Sequence, residues 1–346
     1  MLIIMNSKAT QKNVDDVNNF LAKKGLKTHI SDDNNKVVIR VLGTNSLDTS
    51  ELELFEGVSE AIKISSRFLK TTRTYKSEDT IVEVNGVKFG GDNVGLIAGP
   101  CAVESYEQLD TIASALSDIG IKILRGGTFK PRTSPYAFQG LGEEGLKILS
   151  EVAKKYNMAT VSEIIDASQL ELFERYVDII QVGARNMFNY YMLKELSKTK
   201  KPIILKRGFS ATLEELLMSA EYLLLGGNKN IILCERGIRT FEKSTRSTLD
   251  LAAVPVLKNL SHLPIIVDPS HSTGLRMAVV PMGRAAIMAG CDGLIIEVHN
   301  SPDNALCDGA QSLYIEQYKK LYEDIKQIAP VIGKKISWFV LYPWRF

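Results

Sequence analysis

The sequence predicts an α/β protein in which a (β/α)8 TIM barrel follows a small α+β unit of ferredoxin-like order. Three observations carry this prediction. Eight short apolar runs each end in a charged or metal-liganding residue. The stretches between most of them have the periodicity of amphipathic helices. The first 70 residues follow another rhythm, in which short strands outnumber helices.

In that first part, LIIMN reads as a strand and NVDDVNNFLAKKG as an amphipathic helix. KTHIS and KVVIRVLG read as strands, ELELFEG as a short helix and AIKIS as the last strand. The order β-α-β-β-α-β is that of the split ferredoxin-like unit. It assigns residues 1–70 to one domain and leaves 71–79 (TTRTYKSED), polar and charged, as a linker. TIVEVNGVKFGG alternates around an Asn-Gly turn, which predicts a hairpin across the amino-terminal mouth of a barrel occupying 80–335. The tail, 336–346 (ISWFVLYPWRF), holds both tryptophans and is too short, against the roughly 20 residues required, to span a membrane.

The barrel runs are VGLIAGPC to Cys101, IKILRGG with Arg125, MATVSE to Glu163, DIIQVGAR to Arg185, PIILKRG with Lys206, NIILCERG with Arg236, PIIVDPSH to His271 and GLIIEVH with Glu297. In a closed parallel barrel the strand interiors fill the core and the carboxyl ends open on one face, so these end residues converge there.

Composition narrows the function classes. A net charge of +2, from 42 basic and 40 acidic residues, gives no global field for nucleic acid or a membrane surface, so any cationic site is local. The four cysteines, Cys101, Cys234, Cys291 and Cys307, form no CxxC pair, and the start of the chain lacks the long apolar core of a signal peptide. These features imply a soluble protein of the reducing cytoplasm.

Two sets of residues carry chemistry. Cys101, His271, Glu297 and Asp308 follow strands one, seven and eight, which barrel closure makes neighbours. A thiolate, an imidazole and two carboxylates suit Mn, Fe, Co or Zn, whereas a dedicated Mg or Ca site is normally all oxygen. On the other side Arg125, Lys130 and Arg132 follow strand two, and Arg185, Lys206 and Arg236 end strands four, five and six, with Arg239 beyond. So many cations at strand ends, with few acids beside them, fit one or two phosphorylated substrates. The bland alternative makes Cys101 a buried core thiol and His271 a satisfied turn residue. Cys234 and Cys291 read as core thiols, and His262, ahead of strand seven, falls on the non-catalytic face.

The motifs GPCAVES, LRGGTFKPRTSPYAFQGLG, QVGARNM, LKRG, ILCERGIRTFEKSTR, VDPSHSTG and EVH followed by LCDGAQSL resemble the 3-deoxy-D-arabino-heptulosonate 7-phosphate (DAHP) synthases, in the subgroup with an amino-terminal ferredoxin-like regulatory domain. The resemblance implies condensation of phosphoenolpyruvate with erythrose 4-phosphate and water, giving DAHP and phosphate at the head of the shikimate pathway. It implies that Cys101, His271, Glu297 and Asp308 hold the metal. Arg125, Lys130, Arg185, Lys206 and Arg236, with the Ala184 backbone, would hold phosphoenolpyruvate; Arg132 and Thr133 would hold erythrose 4-phosphate. Lys130 is the candidate for proton transfer, and Glu163 and Asp268 for ordering water or the His271 ring. KTHIS resembles an inhibitor-binding strand in which His29 and Ser31 meet an aromatic amino acid, tyrosine or phenylalanine, in a homotetramer.

Cys307 stands where that family commonly has serine, and barrel closure puts it near Cys101. Three rivals stand beside this reading. The first is 3-deoxy-D-manno-octulosonate 8-phosphate synthase, whose aldose loop resembles KANRSS where this chain has KPRTS. The second is a non-catalytic phosphate sensor. The third makes the small domain a plain subunit-contact module.

Overall fold

The structure, a computed structural model, describes residues 1–33, 36–42, 47–62, 68–132 and 134–336. It divides into two compact units, one of residues 1–69 and one from residue 70 onward.

The first unit has strands β1 (Leu2–Met5), β2 (Lys27–Asp33), β3 (Lys36–Leu42) and β4 (Val58–Ile62) and helices α1 (Gln11–Lys23) and α2 (Thr49–Glu53). The sheet order is β2-β3-β1-β4 with every neighbour antiparallel, the ferredoxin-like arrangement. Thr10 starts α1 by a reciprocal cap: its hydroxyl accepts from the Asn13 amide at 3.3 Å while its own amide donates to Asn13 Oδ1 at 2.8 Å. Val14, Val17 and Leu21 then fall on one face and are buried with Ile3, Met5 and Ile39. The last strand begins at Val58, three residues before the AIKIS run expected from sequence. Gly57, at φ +86°, turns the chain into the sheet immediately after α2. Residues 63–65 of that run lie outside the described residues.

The second unit opens with the hairpin β5 (Val82–Val84) and β6 (Val87–Phe89), turned by Asn85 and Gly86, both at positive φ. Positive φ at both positions is what a two-residue type I′ turn demands. Eight parallel strands follow: β7 (Asn93–Gly99), β8 (Ile123–Arg125), β9 (Ala159–Ile164), β10 (Ile179–Val182), β11 (Ile203–Lys206), β12 (Ile231–Glu235), β13 (Ile265–Val267) and β14 (Gly293–Glu297). Each pairs with the next, and β14 pairs with β7 from Gly293 opposite Gly95 to Glu297 opposite Gly99, closing the barrel.

Ile97, Ile123, Val161, Ile179, Ile204, Ile232, Ile266 and Ile295 meet inside, and the hairpin plugs their amino-terminal end with Val82, Val87 and Phe89. Glycine at Gly95 and Gly293 makes room for the plug, since a Cβ there would come within 2.2 and 3.1 Å of the Phe89 ring. The carboxyl ends carry the polar groups and stay open. A short strand β15 (Lys335–Ile336) pairs with the start of β7, and residues 337–346 of the expected tail lie outside the described residues.

Residues 71–79 correct the linker expected from their polarity. Thr71 is fully buried, with its amide and hydroxyl donating to Glu221 at 3.0 and 3.3 Å, and the Arg73 guanidinium donates to the Lys258 carbonyl at 2.9 and 3.0 Å. The segment is a strap satisfied by partners on the barrel unit. His262 completes it, bonded through its two ring nitrogens to the Thr80 hydroxyl at 2.8 Å and the Lys70 carbonyl at 2.7 Å. Among the described residues no helix is long and apolar enough to cross a membrane.

Candidate metal and anion site

Four potential ligands meet at the seam where β14 joins β7. One ligand atom each from Cys101, His271, Glu297 and Asp308 lies within 4.8 Å of all the others. His271 Nε2 is 3.2 Å from Glu297 Oε1 and 3.9 Å from Asp308 Oδ2, and Cys101 Sγ is 3.5 Å from Asp308 Oδ2.

The chain builds this local geometry from short signals. In VDPSHSTG, Asp268 caps a five-residue helix (Pro269–Thr273) by accepting from the His271 amide at 2.8 Å; proline stands at the first position and Gly274, at φ +68°, ends it. The second oxygen of Asp268 accepts from His271 Nδ1 at 2.7 Å and also pairs with the Lys206 ammonium. This fixes the tautomer that leaves Nε2 turned toward the cluster. Burial pushes the His271 imidazolium down, against Asp268 and Glu297, and so favours the neutral ring a metal requires.

Glu297 is fully buried, and its Oε1 has no hydrogen-bond partner, although Arg125 lies 3.2 Å away as an ion pair. An unsatisfied buried carboxylate oxygen is costly. A cation among these four ligands would remove that cost, so the donor set fits a divalent ion. Burial raises the Asp308 carboxyl, but Arg246, His271 and Lys130 outweigh it and hold the group at about 2, ionised and ready to coordinate. The Cys101 thiol is pushed well up by its bond with Cys307 and by burial. The Sγ atoms of Cys101 and Cys307 are 3.2 Å apart, the proximity expected from barrel closure, and both are free thiols.

Beside the cluster lies a cavity of about 330 Å³ lined by cations. Lys130, Arg132, Arg185, Lys206 and Arg236 face it, as do Ala184 and Glu163. Lys130 Nζ donates to the sulfur and the carbonyl of Cys101, both at 3.1 Å. Gly127 leaves space for it, since a Cβ there would meet Nζ at 3.1 Å and the Cys101 carbonyl at 2.7 Å. Burial pushes the Lys130 ammonium down, but the Cys101 and Cys307 sulfurs in their thiolate form and the Glu163 and Glu297 carboxylates outweigh it and keep the group charged. Arg132 donates to Cys307 Sγ at 2.8 Å, and among the described residues Arg236 donates only to neutral acceptors: the Gly237 and His271 carbonyls and the Ser247 hydroxyl. Arg185, Arg236 and Arg239 pack their guanidiniums around the Phe209 ring, 4.9 to 5.4 Å from its centre.

The structure therefore brings the four metal-ligand candidates together and places most of the cations on one cavity. Arg125 does not line this cavity; it pairs with Glu297 and lines a smaller adjoining pocket with Lys130 and Glu163. Thr133 lies outside the described residues. His29 and Ser31 belong to the other unit, two residues apart on its edge strand β2, with His29 exposed.

Sequence reasoning passed over Arg246, Gln311 and Phe209. Arg246 closes the motif ILCERGIRTFEKSTR but sits in a loop well beyond the end of β12 along the chain, and it donates to Asp308 Oδ2 at 3.2 Å. Gln311 and Phe209 carry no charge, and only their neighbours in space reveal them.

Residues 69–332 match the model of the DAHP synthetase I family, and residues 1–66 match that of the DAHP synthase ferredoxin-like domain. Phospho-2-dehydro-3-deoxyheptonate aldolase of Thermotoga maritima is 45% identical over 338 residues, covering 97% of this chain and 100% of the relative. The solved structure of a Thermotoga maritima enzyme of that name, also called DAHP synthase, superposes with a TM-score of 0.78 at 44% identity, covering 97% of this chain and 98% of that one. More distantly, 2-dehydro-3-deoxyphosphooctonate aldolase of Syntrophotalea carbinolica is 33% identical over 273 residues, covering 73% of this chain and 97% of the relative.

Proposed function

Because the chain belongs to the DAHP synthetase I family and carries that family's ferredoxin-like domain, we propose that its barrel face condenses phosphoenolpyruvate with erythrose 4-phosphate using the residues described above. The observation that carries this assignment of roles is the meeting of Cys101, His271, Glu297 and Asp308 at the rim of a cationic cavity.

A divalent ion held by these four residues, one of Mn, Fe, Co or Zn, would supply Lewis-acid polarisation of the aldehyde of erythrose 4-phosphate. The rest of the work falls to the chain. Arg185, Lys206 and Arg236 bind the phosphate and carboxylate of phosphoenolpyruvate, aided by Arg125, Lys130 and the Ala184 backbone; Arg132 and Thr133 hold the phosphate of erythrose 4-phosphate. With both anions fixed, C3 of the enol is presented to the aldehyde carbon. The new carbon–carbon bond turns the aldehyde oxygen into a hydroxyl, which must gain a proton. Lys130, charged and in contact with Cys101, is placed to donate it. Water then adds at C2, and the hemiketal phosphate ester releases inorganic phosphate.

The small unit is the regulatory part of this reading. Tyrosine or phenylalanine binds against His29 and Ser31, and the working assembly is a homotetramer. A second activity has some support in the distant octulosonate relative, so the deciding experiment offers the protein phosphoenolpyruvate with either erythrose 4-phosphate or arabinose 5-phosphate and follows loss of the enol. Consumption with erythrose 4-phosphate is expected; consumption only with arabinose 5-phosphate would replace the proposal.

A further inference from the structure

We propose that Gln311 is a positioning residue of the metal centre, whose buried carboxamide selects which oxygen of Glu297 is offered to the ion and links that ligand, through Arg246, to Asp308. The inference rests on the four-ligand reading above. Gln311 Nε2 donates to Glu297 Oε2 at 2.6 Å, and its Oε1 accepts from Arg246 at 2.9 Å. The same Arg246 nitrogen donates to Asp308 Oδ2 at 3.2 Å. The direction of the amide is forced, because an ionised carboxylate can only accept and a guanidinium can only donate. A side chain at this place must therefore give a proton at one end and receive one at the other, and a primary amide does both.

The burial makes the bond consequential. Gln311 is 3% exposed and Glu297 fully buried, so water is not at hand to replace the donor. With Oε2 held, Oε1 is the oxygen left without a hydrogen bond and turned toward His271 Nε2. Without the amide, Glu297 is free to rotate and to engage Arg125 with both oxygens.

The backbone ties the parts together. Asp308, at φ +52°, opens a short turn (Gly309–Gln311) in which the Gln311 amide donates to the Asp308 carbonyl at 3.3 Å. Gly309 is required there, since a Cβ would come within 2.0 Å of the Pro302 carbonyl. One turn thus supplies a ligand and also the residue that orients another ligand from a different strand.

The test titrates chelator-treated full-length protein with Mn2+ alone, by calorimetry without substrates, comparing the parent with Gln311→Met and Gln311→Asn. Met keeps the volume without a donor. Asn keeps an amide in the turn but loses the reach, and guards against a folding defect in the Met variant. Both should bind Mn2+ more weakly by about 10- to 100-fold, with melting temperatures close to the parent's in the absence of metal. A folded variant that binds within about twofold of the parent overturns the role of Gln311 while leaving the four-ligand site intact. A parent that does not bind Mn2+ overturns both, and the two failures are distinguished by the parent's own titration curve.

Discussion

The two sides of the barrel's open face are built on opposite principles. At the β14–β7 seam most polar atoms are already engaged: Asp268 orients His271, Gln311 holds Glu297 and Arg246 holds Asp308, while one buried oxygen of Glu297 and Nη1 of its ion-pair partner Arg125 are without a hydrogen bond. Across the cavity the reverse holds. Arg185 and Arg239 have no carboxylate partner among the described residues, and Arg236 donates to neutral acceptors only. The first arrangement is a preorganised frame that turns four donor atoms toward one point, as a metal requires. The second leaves positive charge uncompensated, as a site for mobile anions requires. In the proposed reading the frame, with Lys130 beside it, serves the chemical step, whereas Arg185, Arg236 and Arg132 serve binding.

If so, the two sides should fail differently. The largest effect is expected at the seam: Cys101→Ala and His271→Ala should each lower turnover by roughly a thousandfold or more, since a Lewis acid is worth several kcal/mol and each 1.36 kcal/mol is tenfold. Circular dichroism should show both variants folded. Residual turnover close to the parent's would break the comparison at its stronger side.

Control through the small unit should touch neither side. With tyrosine or phenylalanine as inhibitor, His29→Ala should lose inhibition by a factor within the 5- to 150-fold range typical of allosteric coupling, at unchanged uninhibited turnover. A chain starting at residue 70, which keeps the bonds from Lys70 and Thr71 to Glu221, should be active and insensitive. Identical inhibition curves for the intact and shortened chains would leave the small unit as a contact module.

On the cationic side the effect should fall on one substrate. Arg132→Ala removes one charge-assisted contact worth about 1.5–3 kcal/mol, so KM for erythrose 4-phosphate should rise about 10- to 160-fold with KM for phosphoenolpyruvate little changed. Equal weakening of both substrates would mean that Arg132 serves the other anion.

Much of this face was legible in the sequence for one physical reason. A parallel barrel sends each strand's last residue to the same end, so Cys101, His271 and Glu297 could be grouped although they lie far apart in the chain. The α1 face and the Asn85–Gly86 turn were legible because periodicity and positive φ are local properties. Gln311 and Phe209 were not, because their roles depend on partners from other strands and loops. The 71–79 strap misled for a related reason: a polar run reads as solvated until Glu221 and the Lys258 carbonyl are seen to satisfy it. Arg246 stood in a quoted motif, but the rule of looking at strand ends passed it by.

If Cys101, His271, Glu297 and Asp308 hold one divalent ion, the condensation should not run without it. The most direct test is to strip the protein with a chelator, remove the chelator, and follow loss of the phosphoenolpyruvate enol in the presence of erythrose 4-phosphate as Mn, Fe, Co or Zn is added back. Negligible turnover is expected of the stripped protein, with recovery that saturates near one ion per chain and none in Cys101→Ala. Full turnover by protein shown to be metal-free would contradict this.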